Sequence, residues 1–243
     1  MAFAAALKRP CRGSWRRFWE DCRPPMSDYK LIVFDWDGTL MDSLSRIADC
    51  MQAAARDLGL EPATEQQVHG VVGLALDLAI QQLHPALAPE QLLGMQERYA
   101  QHYVTAETTP SPFYQGVPEL LTELRQRGKL LSVATGKSRK GLERVFAAHA
   151  VGHWFHSSRC ADETRSKPEP DMLLEILDYH GMKPRQALMV GDTTFDLEMA
   201  RRAGVDAVGV TWGAHDITRL QRHRPQTCVD SVQQLATWLQ QVV

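Results

Sequence analysis

Asp35 and Asp37 stand one residue apart in Asp35-Trp36-Asp37-Gly38-Thr39, directly after the apolar run Leu31-Ile32-Val33-Phe34. Two carboxylates so placed can divide labour, one ionised as a nucleophile and the other passing a proton, provided their environments differ. Three further polar sets occupy comparable places. Thr135 and Gly136 follow Leu130-Leu131-Ser132-Val133-Ala134, and Lys167-Pro168 follows a turn-rich segment. Asp192 and Asp196 lie in Gly191-Asp192-Thr193-Thr194-Phe195-Asp196, behind Ala187-Leu188-Met189-Val190. Each set closes an apolar run or sits in a loop, where an open α/β sheet gathers its ligand-binding residues.

Elements that could hold these residues are legible in the spacing. Continuous apolar runs bounded by turn residues read as strands covered on both faces. Leu31–Phe34, 129–134, 187–190 and a final strand over 205–210 fit this pattern, alternating with helices over 118–126, 138–148, 170–179, 196–203 and 231–241. Such alternation predicts an α/β fold with a doubly wound parallel sheet. Between the first two motifs the pattern changes. Asp42-Ser43 reads as a capped helix start, Leu44, Ile47, Ala48, Met51, Ala55 and Leu58 recur at helical spacing, and Gly59 reads as a stop. Further helical stretches at 64–71, 76–83 and 89–103 make an inserted all-helical unit. The expected division is a core of residues 26–42 and 114–243, a helical cap over 43–113 and a separate leader over 1–25.

The ordered set Asp35/Asp37, Thr135, Lys167, Asp192/Asp196 resembles the haloacid dehalogenase-like hydrolase superfamily, and most of all its phosphoglycolate phosphatase-like branch with a helical cap. That resemblance implies a Rossmann-like core and a phosphomonoesterase using an aspartyl-phosphate. Asp35 would be the nucleophile, Asp37 the general acid and then base, and Lys167 the cation that keeps Asp35 ionised. Thr135 and the Gly136 amide would bind a phosphoryl oxygen, and the Gly38 amide could donate to it as well. Mg²⁺ would be held by Asp35, Asp192 and the carbonyl of Asp37, with Asp196 ligating through water or orienting the shell. The Asp at 37 resembles the phosphate-handling members, since haloacid dehalogenases lack it and phosphonatases carry Ala there. Competing readings are turn-capping aspartates at 35 and 37, a helix N-cap at Asp196, and a solvated surface lysine at 167. Lys137 and Lys140 are weaker candidates, because Ser138-Arg139-Lys140 reads as the opening of a surface helix.

The cap loop Val72-Gly73-Leu74-Ala75-Leu76 is apolar, and only Arg46, Arg56 and Arg98 are basic between 42 and 113. Arg46 is the one most able to reach substrate. His69, His84 and His102 show no metal-ligand spacing, and Trp212-Gly213-Ala214-His215 could edge the site or simply pack in a turn. The expected substrate is a small organic phosphate such as phosphoglycolate. A β-phosphoglucomutase-like phosphotransferase, or a non-catalytic binding protein on the same fold, are the alternatives.

Composition bounds the partners. The 243 residues are 44% apolar and 23% charged, with a net charge of −2, so no nucleic-acid footprint is present. No apolar stretch nears the ~20 residues of a membrane span. Five scattered cysteines without a Cys-x-x-Cys read as reduced thiols in a cytoplasmic protein, monomer or homodimer. Residues 1–25 differ, with six basic side chains against Glu20 and Asp21. They read as a leader before a folded protein starting near Met26, a transit-type peptide, or a basic interaction tail.

Overall fold

A computed structural model describes residues 29–243. The basic segment 1–25, and the expected start at Met26, lie outside the described residues. Six parallel strands form one sheet in the order β3-β2-β1-β4-β5-β6. They are β1 (Leu31–Phe34), β2 (Leu130–Thr135), β3 (Ser157–Cys160), β4 (Ala187–Gly191), β5 (Asp206–Val210) and β6 (Thr227–Val229). The helices, in chain order, are α1 (Leu44–Asp57), α2 (Glu65–His69), α3 (Leu76–Leu83), α4 (Pro89–Ala106), α5 (Val117–Gln126), α6 (Arg139–His149), α7 (Asp171–His180), α8 (Thr194–Ala203), α9 (Ile217–Gln221) and α10 (Val232–Val242).

The period of two in a strand sorts the core into two layers. Ile32 and Phe34 join Leu131, Val133, Leu188 and Val190 on one face, against α5, α6 and α10. Leu31 and Val33 join Ala187 and Met189 on the other, against α7 and α8. All four residues of β1 are fully buried, because β2 and β4 flank it in register, Leu31 opposite both Leu130 and Ala187. This is why β1 reads as an unbroken apolar run.

A third core lies within the helices between β1 and α5. Leu44, Ile47, Ala48, Met51, Ala54 and Ala55 line one stripe of α1 and pack with Val68, Ile80, Met95 and Tyr103. The insert therefore carries its own apolar centre, away from the sheet.

Three expectations need correction. The strand at 206–210 is not the last, since β6 follows it through the short helix α9. Both β6 (Thr-Cys-Val) and the opposite edge strand β3 (Ser-Ser-Arg-Cys) lack the apolar run that marks a two-sided strand, because each has one neighbour only. Helix α8 begins at Thr194, with Thr193 as its cap. Ser43 does precede α1, but its hydroxyl makes no capping bond.

Candidate active site

Strand order reverses between β1 and β4, the position where open α/β sheets form a crevice at their carboxyl ends. Asp35 is the first residue past β1, and its amide donates to the Val190 carbonyl at 2.9 Å. That bond holds the tip of β1 beside the tip of β4, which ends one residue before Asp192. Asp35, Asp192 and Asp196 each offer an oxygen within 4.8 Å of the others'. All three are buried.

Each carboxylate is fixed by a different device. Asp192 Oδ1 accepts the Thr39 hydroxyl at 2.8 Å and Oδ2 accepts the Ala214 amide at 2.7 Å. Gly38, at φ +82°, lets the chain pass close by, since a Cβ there would collide with Asp192 Oδ2. Asp196 is the third residue of α8. Its Oδ2 accepts the Thr193 amide at 3.1 Å and hydroxyl at 2.7 Å, while the Asp196 amide donates back to Thr193 Oγ1 at 3.3 Å. This reciprocal box frees Asp196 Oδ1 for Lys167 Nζ, at 2.6 Å. Lys167, fully buried, also donates to Asp35 Oδ1 at 2.5 Å. Asp35 Oδ2 is buried and has no hydrogen-bond partner among the described residues.

Charge is out of balance here. Three buried carboxylates face the single ammonium of Lys167. Burial drives Asp35 well above the usual carboxylate range, and Asp196 and Asp192 push the same way against Lys167. Burial and the Asp196 charge carry Asp192 up to about 7. Burial alone would depress Lys167, but Asp196 and Asp35 outweigh it and hold the ammonium above its ordinary value. Oxygen donors with excess negative charge, one oxygen bare, are what a hard divalent cation requires. The residues present therefore fit a hard divalent cation.

Asp37 sits in a separate, balanced setting. Its Oδ1 accepts the Ser43 hydroxyl at 2.6 Å and its Oδ2 lies 3.0 Å from Lys137 Nζ. Lys137 reaches on to the Tyr103 hydroxyl of α4 at 3.1 Å. Burial disfavours the Lys137 charge, yet Asp37 and Tyr103 raise it above an ordinary lysine. Asp37 thus does not share the three-carboxylate cluster through its side chain, and only its backbone remains to serve a metal there. Sequence reasoning ranked Lys137 low and took Ser43 for a cap. The available signal was position, because Lys137 comes two residues beyond a strand tip, before the helix turns away.

Thr135 is buried, and its Oγ1 accepts the Lys137 amide at 3.2 Å, leaving the hydroxyl proton without an acceptor among the described residues. Gly136 is where the insert meets the sheet. A Cβ there would stand 2.6 Å from the Leu74 carbonyl and 2.7 Å from that of Gly73. The Ala75 amide donates to Ser166 Oγ at 2.8 Å. The loop 72–76 therefore lies directly over the crevice. Two expectations change. The Gly38 amide is committed to the Met41 carbonyl at 2.9 Å, so it is not free for a phosphoryl oxygen. The Arg46 guanidinium is engaged elsewhere, donating to the Thr109 carbonyl of the linker at 2.5 Å. Trp212 and His215 edge the site from behind. The Trp212 indole donates to the Thr39 carbonyl at 3.1 Å, and His215 Nδ1 accepts the Thr194 amide at 3.0 Å. Burial, chiefly, depresses His215 to about 4, keeping it neutral.

Residues 32–210 match the family model described as haloacid dehalogenase-like hydrolase. The chain is 31% identical over 215 residues to the phosphoglycolate phosphatase of Vibrio cholerae, covering 85% of this chain and 95% of that protein. It is 34% identical over 196 residues to the phosphoglycolate phosphatase of Mannheimia succiniciproducens, covering 77% and 88%. A crystal structure titled as a "predicted phosphoglycolate phosphatase" from Haemophilus somnus superposes with a TM-score of 0.76 at 28% identity, covering 88% of this chain and 98% of that one. Carboxylates at two neighbouring strand tips, the matched family and these relatives agree: the chain belongs to the haloacid dehalogenase-like hydrolases and is a phosphatase of that family.

Proposed function

We propose that this protein is a Mg²⁺-dependent phosphomonoesterase that acts on small organic phosphates through an aspartyl-phosphate on Asp35. One observation carries the reading: Asp35 has Oδ1 held by Lys167 and Oδ2 bare, at the floor of a cavity that it shares with Thr135 and Gly136. A carboxylate with one oxygen anchored and the other free is oriented for attack on phosphorus.

Asp35, Asp192 and the backbone at Asp37 would hold the ion, with Asp196 behind them. When bound, Mg²⁺ neutralises the surplus acidic charge and draws on the negative charge of the phosphoryl oxygens. Lys167 favours the ionised form of Asp35 against its burial, together with the cation, and adds positive charge where the transition state gathers negative charge. The unspent Thr135 hydroxyl proton donates to a phosphoryl oxygen. Asp37 protonates the leaving alkoxide with a proton that a monoanionic ester can deliver. It then takes a proton from the water that hydrolyses the acyl phosphate, a role for which Lys137 and Ser43 hold it ready.

A transferase of the same fold would have to retain a doubly phosphorylated intermediate. The cations lining the cavity are too few, and too fully paired, to support that. A cytoplasmic setting accords with the free thiols of Cys50, Cys160 and Cys228, and no helix of the described residues is long and apolar enough to cross a membrane. The test is phosphate release from p-nitrophenyl phosphate and 2-phosphoglycolate with Mg²⁺ and with chelator. Turnover should need the metal and fall roughly 10³-fold or more in Asp35→Asn. Undiminished turnover in that variant would remove Asp35 as the nucleophile.

A further inference from the structure

We infer that the ester taken by this site carries an apolar, ring-sized leaving group and not a short, charged one. The inference rests on the phosphomonoesterase reading and narrows its substrate class. The cavity above Asp35 is about 590 Å³. That falls in the range of ~300–1,000 Å³ in which sites enclose ligands of many heavy atoms. A two-carbon acid would leave most of it unfilled.

The walls say what could fill it. Ile47 and Met51 of α1, Val68 and Val72 around α2, Leu76 of α3 and Tyr99 of α4 face the space. Against these walls a carboxylate or a hydroxyl of the leaving group would lose its water without gaining a partner. Three cations line the cavity, and two are already committed. Lys137 is held by Asp37 at 3.0 Å and Tyr103 at 3.1 Å, and Arg144 by Glu107 at 2.9 Å. The third, Lys140, is exposed on the first turn of α6, in water. Among the described residues the cavity therefore offers no buried, unpaired cation to a leaving-group carboxylate. It offers uncharged polar handles instead, Gln101, Thr105, Ser138 and Tyr99 among them. The Tyr99 hydroxyl makes no hydrogen bond among the described residues, and burial keeps it a phenol, able to donate to an acceptor on an otherwise apolar body.

The experiment compares phosphate release from benzyl phosphate, cyclohexylmethyl phosphate, 2-phosphoglycolate and glucose 6-phosphate with Mg²⁺, all alkoxide leaving groups, so that intrinsic reactivity does not decide the order. Acetyl phosphate, which has almost no body, serves as the reference. kcat/KM for benzyl phosphate should exceed that for 2-phosphoglycolate by about tenfold or more, mostly through KM. In Leu76→Arg the ratio of the two should fall by about tenfold or more. Each ratio is taken within one preparation, so the folded fraction cancels. A preference for 2-phosphoglycolate or glucose 6-phosphate, with acetyl phosphate hydrolysed in a Mg²⁺-dependent way, would overturn this inference and leave the phosphomonoesterase reading standing. Failure to hydrolyse any of the five with Mg²⁺ would overturn both.

Discussion

Two lysines, the buried Lys167 and the partly buried Lys137, head two centres built on opposite principles. Around Lys167 stand three carboxylates, Asp35, Asp192 and Asp196, so one ammonium is outnumbered. Around Lys137 stand one carboxylate, one phenol and the ring face of that same tyrosine, with the ammonium 4.7 Å from its centroid. The first centre has an excess of negative charge that a proton or a cation from outside can offset. The second is neutral and closed. Excess charge marks where an ion and a phosphoryl group can be bound, while balance marks where a proton can be handled without one.

The largest effect should come from unbalancing the first centre further. Lys167→Met leaves Asp35 and Asp196 buried without their cation. Such a loss costs about 3–5 kcal/mol when a buried pair is broken. Thermal melts in chelator should show most of it, and phosphate release should fall roughly 10³-fold with folded protein and Mg²⁺ present. A melting point equal to wild type in chelator would mean that the ammonium offsets nothing. Next in size is removal of a proton-handling support. Lys137→Met should reduce kcat by about 10²-fold, within the range for general acid–base catalysis, and should alter the pH profile of kcat. Loss confined to KM would place Lys137 in substrate binding instead.

The two centres should also differ in their response to metal and pH. Asp35 and Asp192 both titrate above their unfolded values, Asp192 near 7. A carboxylate raised on folding supports stability below its unfolded pKa of ~4 and withdraws that support as pH rises through the folded value. In chelator the melting temperature should therefore decline between pH 5 and 8, by about 2 kcal/mol in stability or more. Mg²⁺ should abolish the decline, and Asp192→Asn should flatten it and weaken the Mg²⁺ response. A flat wild-type curve in chelator would show that the three carboxylates are not in surplus. The smallest effect is expected from Tyr103→Phe, a few-fold in kcat, because Lys137 keeps Asp37 when the phenol is gone.

How far the chain betrays these centres depends on how local their causes are. Asp35, Asp192 and Thr135 were legible because each ends an apolar run that β1, β4 or β2 must bury. The insert was legible because α1 repeats its apolar positions at helical spacing. Lys137 was undervalued because its second partner, Tyr103, is 34 positions away, and no spacing rule links them. Ser43 obeys the local rule for a helix cap, but its side chain is turned to donate its hydroxyl proton to Asp37 and makes no capping bond. Strands β3 and β6 escaped notice because an edge position does not demand an apolar sequence.

Ser166 ties the helical insert to the sheet through the Ala75 amide, and it is the immediate neighbour of Lys167. A latch and a charge thus share one short stretch of backbone. Any strain on the Ala75–Ser166 bond would pass at once to the backbone of Lys167, and through its ammonium to the oxygen of Asp35 that it holds.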